Sequence, residues 1–214
     1  APIYLDHQAT TPCDPAVVEA MAPWWSEGFA NPSSRSHRPG LEAAAQLTRA
    51  RQRLASSLSV PAESVVFTSG ATEANNLAIK GLCEARLAQG RHIITVVTEH
   101  RAVLDPCRYL QSLGFELTVL PVQPNGLLNP EDLVAALRPD TVLVSVMAAN
   151  NEIGVLQPIA EISALCRPRG IAVHVDGATV HVTGPDESQR APNACLPRLL
   201  GTTCHLSPSL LVCR

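Results

Sequence analysis

The chain has 214 residues, 46% of them hydrophobic and 16% charged, and a formal net charge of -3. This length suits one large domain or one and a half, and this composition suits a buried core and excludes a disordered chain. No basic surplus or basic run exists, so nucleic acid and membrane surfaces are not expected as partners. No apolar run reaches the ~18 residues of a membrane span, and residues 1–6 lack the features of a signal peptide.

The seven cysteines form no C-x-x-C pair, and their number is odd. In a chain without a secretion signal, this pattern favours free thiols in a reducing compartment. The even spacing of Cys195, Cys204 and Cys213 is not a standard zinc spacing. We therefore expect a cytoplasmic protein without a metal site.

The first 60 residues predict two helices, at about 15–25 and 40–58, with a loop rich in Asn, Pro, Ser and Arg at 31–39 between them. The second helix carries one apolar stripe, formed by Leu47, Ala50, Leu54 and Leu58.

From about residue 64 to 176, apolar strands alternate with helices. The predicted strands are 64–68, 92–97, 115–122, 141–147 and 171–175. The predicted helices are 72–88, 102–113, one that starts at 129–132 with an Asn cap and a Pro, and one near 158–167. Such strands are typical of a mostly parallel sheet that helices cover on both faces.

The tail at 183–214 contains four prolines and three cysteines and no convincing period, so we assign it no secondary structure. The chain then divides into an N-terminal helical segment (1–60), an α/β core (61–182) and an irregular tail (183–214).

The turn at 69–73, Ser-Gly-Ala-Thr-Glu, follows a predicted strand and opens a helix. A turn of this kind leaves free N–H groups at the positive end of the helix dipole, where a phosphate can bind. Gly70 allows close approach of the ligand, and Thr72 adds a hydroxyl donor. An ordinary capped turn is the alternative.

Polar residues follow three further strands. They are His100 in Thr98-Glu99-His100, Asn151 in Asn150-Asn151-Glu152-Ile153-Gly154, and Asp176 in His174-Val175-Asp176. Taken singly, each has a structural alternative: a core histidine, a polar turn and a loop cap. Taken together, they lie at one edge of one parallel sheet, where ligands bind in such folds. An anion site, a flat ring, an amide and an acid suit pyridoxal phosphate (PLP).

Six segments resemble the cysteine desulfurase family, whose members are fold-type I, class-V aminotransferase-like PLP enzymes related to selenocysteine lyases. The segments are 4–12, 31–37, 68–77, 98–100, 150–154 and 174–176. The resemblance runs in order over roughly residues 3–178. It implies an α/β fold that corresponds to an incomplete PLP-transferase large domain, and L-cysteine as substrate, with L-alanine and an enzyme persulfide as products. It also implies a homodimer and a role in iron–sulfur cluster assembly or other sulfur transfer.

The same resemblance implies the role of each site residue. Ala71 and Thr72 would bind the phosphate, and His100 would stack on the ring and transfer protons. Asn151 would contact the ring-hydroxyl side, and Asp176 the ring nitrogen.

The sequence departs from the family pattern after Asp176. Where the family has Ala-Ala-Gln, this chain has Gly177-Ala178-Thr179, so that Thr179 replaces the Gln that contacts the cofactor. About 25 residues further on, the family has Ser-x-His-Lys, whose Lys forms the Schiff base. This chain has Thr203-Cys204-His205-Leu206 instead. Lys80, its one lysine, lies eight residues beyond Thr72, or ~12 Å along a helix axis, so we expect an ordinary exposed lysine.

We therefore expect a chain that is truncated or frame-altered after about residue 178, or else a diverged short homologue. Cys204 is the candidate persulfide cysteine, although the same segment also aligns with the Lys segment. Two functions stay open: a desulfurase with impaired activity, whose PLP is held only noncovalently, or a non-catalytic homologue that binds PLP or a full-length partner. The absence of G-x-G-x-x-G counts against a dehydrogenase.

Overall fold

The computed structural model describes residues 3–5, 12–178, 203–205 and 210–212. The helices in these ranges are α1 Pro15–Met21, α2 Pro23–Ser26, α3 Arg38–Leu58, α4 Ala71–Ala85, α5 Arg101–Ser112, α6 Pro130–Ala136 and α7 Ile159–Cys166. The strands are β1 Val65–Phe67, β2 His92–Val96, β3 Glu116–Leu120, β4 Thr141–Ser145, β5 Ala172–Val175, β6 Thr203–His205 and β7 Leu210–Val212. Between residues 64 and 176, every predicted strand and helix is present, in the predicted order.

The strands form one sheet in the order β1-β7-β6-β5-β4-β2-β3. The pairs β2–β3, β2–β4, β4–β5 and β5–β6 are parallel, whereas β7 runs antiparallel to β6 and β1. This confirms the prediction of an α/β fold with a mostly parallel sheet.

Two apolar cores cover the two faces of the sheet. Ile94 of β2 belongs to the core that includes the end of α3, α6 and α7, whereas its neighbour Ile93 belongs to the core with α4 and α5. Successive side chains of a strand point to opposite faces, so a strand between two helical layers is buried at every position and is mostly apolar. The buried polar side chains of β2, His92 and Thr95, are hydrogen-bonded. This explains the largely apolar runs that predict the sheet.

The N-terminal helices differ from their prediction in two respects. The first helix is broken at Ala22, because Pro23 lacks the N–H that would continue the hydrogen-bond ladder. Of the apolar stripe of α3, Leu58 is buried and Leu54 is half-buried, whereas Leu47 is 38% exposed. In the first half of α3, Gly40 is the one buried residue among those that the structure describes.

Two further corrections concern the edge of the sheet and the tail. The segment 64–68 was expected to be a buried strand, but β1 lies at the edge of the sheet and only its Val65 is buried. The sequence predicts no secondary structure for the tail 183–214, yet β6 and β7 of this tail pair within the sheet. Strands of three residues are too short to show an alternation, so their partners decide their conformation.

Candidate cofactor site

The predicted site residues follow the ends of neighbouring strands. His100 is the N-cap of α5, four residues after β2, Asn151 lies in the turn after β4, and Asp176 comes directly after β5. Because β2, β4 and β5 are parallel neighbours, their carboxyl ends share one edge of the sheet. The structure thus brings these three residues to the same edge.

Hydrogen bonds join the three loops at this edge. The Asn150 side-chain amide donates to the carbonyl oxygen of Thr98 over 3.0 Å, which ties the loop after β4 to the loop after β2. The Ala148 N–H donates to the carbonyl oxygen of Asp176 over 2.8 Å, which ties the same loop to the end of β5. Side-chain Oδ1 of Asn150 also accepts from the N–H groups of Glu152 and Ile153, and so closes the turn that carries Asn151.

The carboxylate of Asp176 is 5% exposed and has a donor on each oxygen. The side-chain amide of Asn75 in α4 donates to Oδ2 over 3.0 Å, and the N–H of Ala178 donates to Oδ1 over 2.9 Å. The first contact ties the end of β5 to the first turns of α4. The start of α4 and Asp176 therefore belong to one connected site.

The N-terminus of α4 leaves backbone donors available, as its sequence predicts. Gly70 is the N-cap without a side-chain hydrogen bond, and the Glu73 carboxylate turns back to accept from the N–H and the hydroxyl of Ser69. These bonds hold the pKa of Glu73 below its usual value. Within the described ranges, no acceptor meets the N–H groups of Ala71 and Thr72.

His100 is exposed, and its Nδ1 accepts a hydrogen bond from the N–H of Ala102 over 3.0 Å. The ring therefore caps α5, and a neutral ring with this bond carries its proton on Nε2. The side chain of Asn151 is partly exposed and makes no hydrogen bond within the described part of the chain.

Lys80 is directed away from this edge. Its ammonium lies 4.6 Å from the centroid of the Tyr109 ring, between α4 and α5, in a cation–π contact. Thr179 and Leu206 lie outside the described residues, as does the side chain of Cys204.

Sequence reasoning missed two buried polar residues of the site, Asn75 and Glu99. Glu99 is 6% exposed and accepts a hydrogen bond from the N–H of Met147. Its Oε2 has no partner among the described residues. Burial raises the pKa of Glu99 well above its usual value, the Met147 bond lowers it, and the charge of Asp176 raises it further. A signal for Asn75 was present, since it lies four residues before Ile79 on the buried face of α4.

Comparisons with known proteins identify the family and agree with the fold. A family described as "Aminotransferase class-V" matches residues 3–190. The chain is 53% identical over 175 residues to a "Cysteine desulfurase IscS" of Rickettsia akari, which covers 82% of this chain and 43% of that protein. The chain spans less than half the length of this relative. A solved "NIFS-LIKE PROTEIN" matches with a TM-score of 0.85 and 31% identity, over 99% of this chain and 59% of that one. A structure described as "SspA in complex with cysteine" matches with a TM-score of 0.84 and 34% identity, over 98% and 60%.

Proposed function

The chain belongs to the class-V aminotransferase family, and on this premise we propose that it is a cysteine desulfurase-like protein that binds PLP at the sheet edge. Its substrate class is L-cysteine, from which the sulfur atom passes to a thiol to give L-alanine and a persulfide. The persulfide then serves iron–sulfur cluster assembly or another sulfur transfer. The observation that carries the proposal is the buried carboxylate of Asp176, tied through Asn75 to the helix whose N-terminus lies at the same edge.

The residues of the edge fit the two charged ends of PLP. The N–H groups of Ala71 and Thr72, which meet no acceptor among the described residues, stand at the positive end of a 15-residue helix, which suits a phosphate. Asp176 offers a buried carboxylate to a cationic ring nitrogen. A covalent tether through Lys80 does not fit, because this residue lies in the second half of α4, where it packs on Tyr109 and not at the edge of the sheet.

Each residue would then help to hold or orient the cofactor. Ala71 and Thr72 would hold the phosphate, and Asp176 would pair with the ring nitrogen. His100 would cover the ring, with Nε2 as the atom that holds a proton, and Asn151 would contact the ring-hydroxyl side. When bound, PLP supplies an electron sink for charge that develops on the substrate.

We also propose that turnover by this chain is impaired, because neither Leu206 nor Arg can replace a primary amine. Turnover is measured as the sulfide and alanine that the chain releases from L-cysteine in the presence of PLP. We expect little release. Turnover comparable with that of full-length relatives would contradict this part of the proposal.

Binding is tested by titrating the chain with PLP and following its absorbance. We expect binding, and an affinity that falls by about tenfold or more in Asp176→Ala, because the cationic nitrogen loses its partner. Asp132→Ala removes an exposed carboxylate of α6 and is the control. Borohydride should fix no PLP to Lys80. Equal affinity of the chain and of Asp176→Ala would contradict the proposal.

An exposed aromatic surface favours a second function, namely a non-catalytic homologue that docks onto a second subunit. Trp25 in α2 and Phe29 after it are 77% and 78% exposed, and α1 and α2 bury no residue. Surfaces of this kind are typical of contacts between proteins. Light scattering, with and without a full-length relative, tests it: a monomer in both samples would rule it out.

A further inference from the structure

We propose that Asn75 is a positioning residue for Asp176, whose side-chain amide holds the carboxylate in the orientation that pairs with a cationic ring nitrogen. The inference rests on the proposed function and adds to it a residue that has no role in the sequence reasoning.

The geometry fixes the carboxylate from two directions. Asn75, which is fully buried in α4, donates to Oδ2 of Asp176, and the N–H of Ala178 in the following loop donates to Oδ1. The Ala178 N–H lies two residues after Asp176 in the chain, whereas the Asn75 amide lies 101 residues before it. A carboxylate held at one oxygen can still swing about that bond, whereas one held at both oxygens keeps its direction.

This arrangement leaves one polar atom of the Asn75 amide without a hydrogen bond in the described part of the chain. The Oδ1 atom of Asn75 is buried without a hydrogen-bond partner among the described residues. A buried polar atom without a partner destabilises a folded protein, and an apolar side chain on this face of α4 would avoid that loss. Packing alone therefore does not explain an Asn at this position, whereas its bond to Asp176 does.

A second carboxyl group near Asp176, that of Glu99, explains why a neutral amide at Asn75 is a suitable donor. Glu99 is buried close enough to Asp176 for the charge of one to act on the other. Burial raises the pKa of Glu99, and the charge of Asp176 raises it further. An amide orients the Asp176 carboxylate without adding another charge beside Glu99.

The chain offers a matched control in the next residue. Asn76 is on the same turn of α4, but its amide donates to the carbonyl oxygen of Thr72 over 2.9 Å and does not reach Asp176. Asn75→Ala and Asn76→Ala remove the same group from adjacent positions.

The test compares the affinity of the 214-residue chain for PLP with its affinity for an analogue that has carbon in place of the ring nitrogen. We expect PLP to bind more tightly, and Asn75→Ala to reduce that preference by roughly tenfold. Asn76→Ala should leave the preference unchanged. An unchanged preference in Asn75→Ala, or an equal loss in both variants, would overturn the inference.

A readout without PLP separates this inference from the proposed function. In the chain labelled with ¹³C at aspartate carboxyl carbons, Asn75→Ala should shift the Asp176 resonance and Asn76→Ala should not. A shift without PLP binding would refute the proposed function and leave the contact standing, and the absence of a shift would overturn the positioning role. Should Asn75→Ala fail to fold, the exchange N75D/D176N restores the bond between the two positions. We expect this exchange to fold but to lack the preference for PLP, and a restored preference would overturn the inference.

Discussion

The edge of the sheet around Asp176 and the N-terminal helices α1–α3 are built in opposite ways. At the edge, hydrogen bonds between loops join β2, β4, β5 and α4, and both Asp176 and Asn75 are buried. In the N-terminal helices, α1 and α2 bury no residue, and α3 is buried mainly at its last turn. The candidate site is thus held by the sheet together with α4, whereas the residues of α1 and α2 stay unburied.

The largest expected difference between the two regions is in stability. Leu133→Ala removes a fully buried side chain under the sheet and should lower the free energy of unfolding by about 2–5 kcal/mol, because it leaves a cavity. Leu47→Ala, the same change on the exposed part of α3, should cost less than about 0.5 kcal/mol. Urea denaturation followed by circular dichroism measures both. Similar losses would show that α3 is packed as firmly as the core.

The pH dependence of stability tests the burial of Glu99 at the candidate site. The pKa of Glu99 is raised in the folded protein, so the folded state holds this proton more tightly than the unfolded state. The contribution of Glu99 to the free energy of unfolding is complete below pH 4.5, its ordinary pKa. This contribution is lost as the pH rises from there toward the raised pKa.

Glu99→Gln cannot ionise, so the difference in unfolding free energy between the chain and this variant should change with pH by at most about 1.4 kcal/mol per unit above 4.5. Denaturation curves between pH 5 and 8 measure the difference. The exposed Glu84→Gln is the control and should keep the slope of the unaltered chain. A Glu99→Gln variant with that same slope would show that Glu99 is ionised in the folded protein.

The smallest expected effect is at the junction of the two regions. Arg51 of α3 donates to the carbonyl oxygen of Val65 over 3.2 Å, and its guanidinium lies 5.2 Å from the centroid of the Phe67 ring. Arg51→Ala should lower the free energy of unfolding by about 1 kcal/mol, since it removes one hydrogen bond and one cation–π contact. Arg53→Ala on the exposed face of α3 should change it little. Equal effects in thermal denaturation would mean that α3 is not anchored through Arg51.

Sequence reasoning succeeded where local pattern and burial coincide. The apolar runs of β2 and β4 are buried at every position, and Asn129 caps α6 by accepting from the N–H of Glu131, as expected. Sequence reasoning failed where the burial of a segment depends on which other segments pack against it. The apolar stripe of α3 is typical of an amphipathic helix, but only Leu58 of its four residues is buried.

Hydrophobic periodicity and turn chemistry are local properties, so the amino-acid sequence alone predicts the order of strands and helices and the strand ends that carry His100, Asn151 and Asp176. The bond of Asn75 to Asp176, the burial of Glu99 near it and the packing of Lys80 on Tyr109 are visible only in the folded chain. Each of these contacts joins residues from different elements, and it forms only after the sheet and its helices have been assembled.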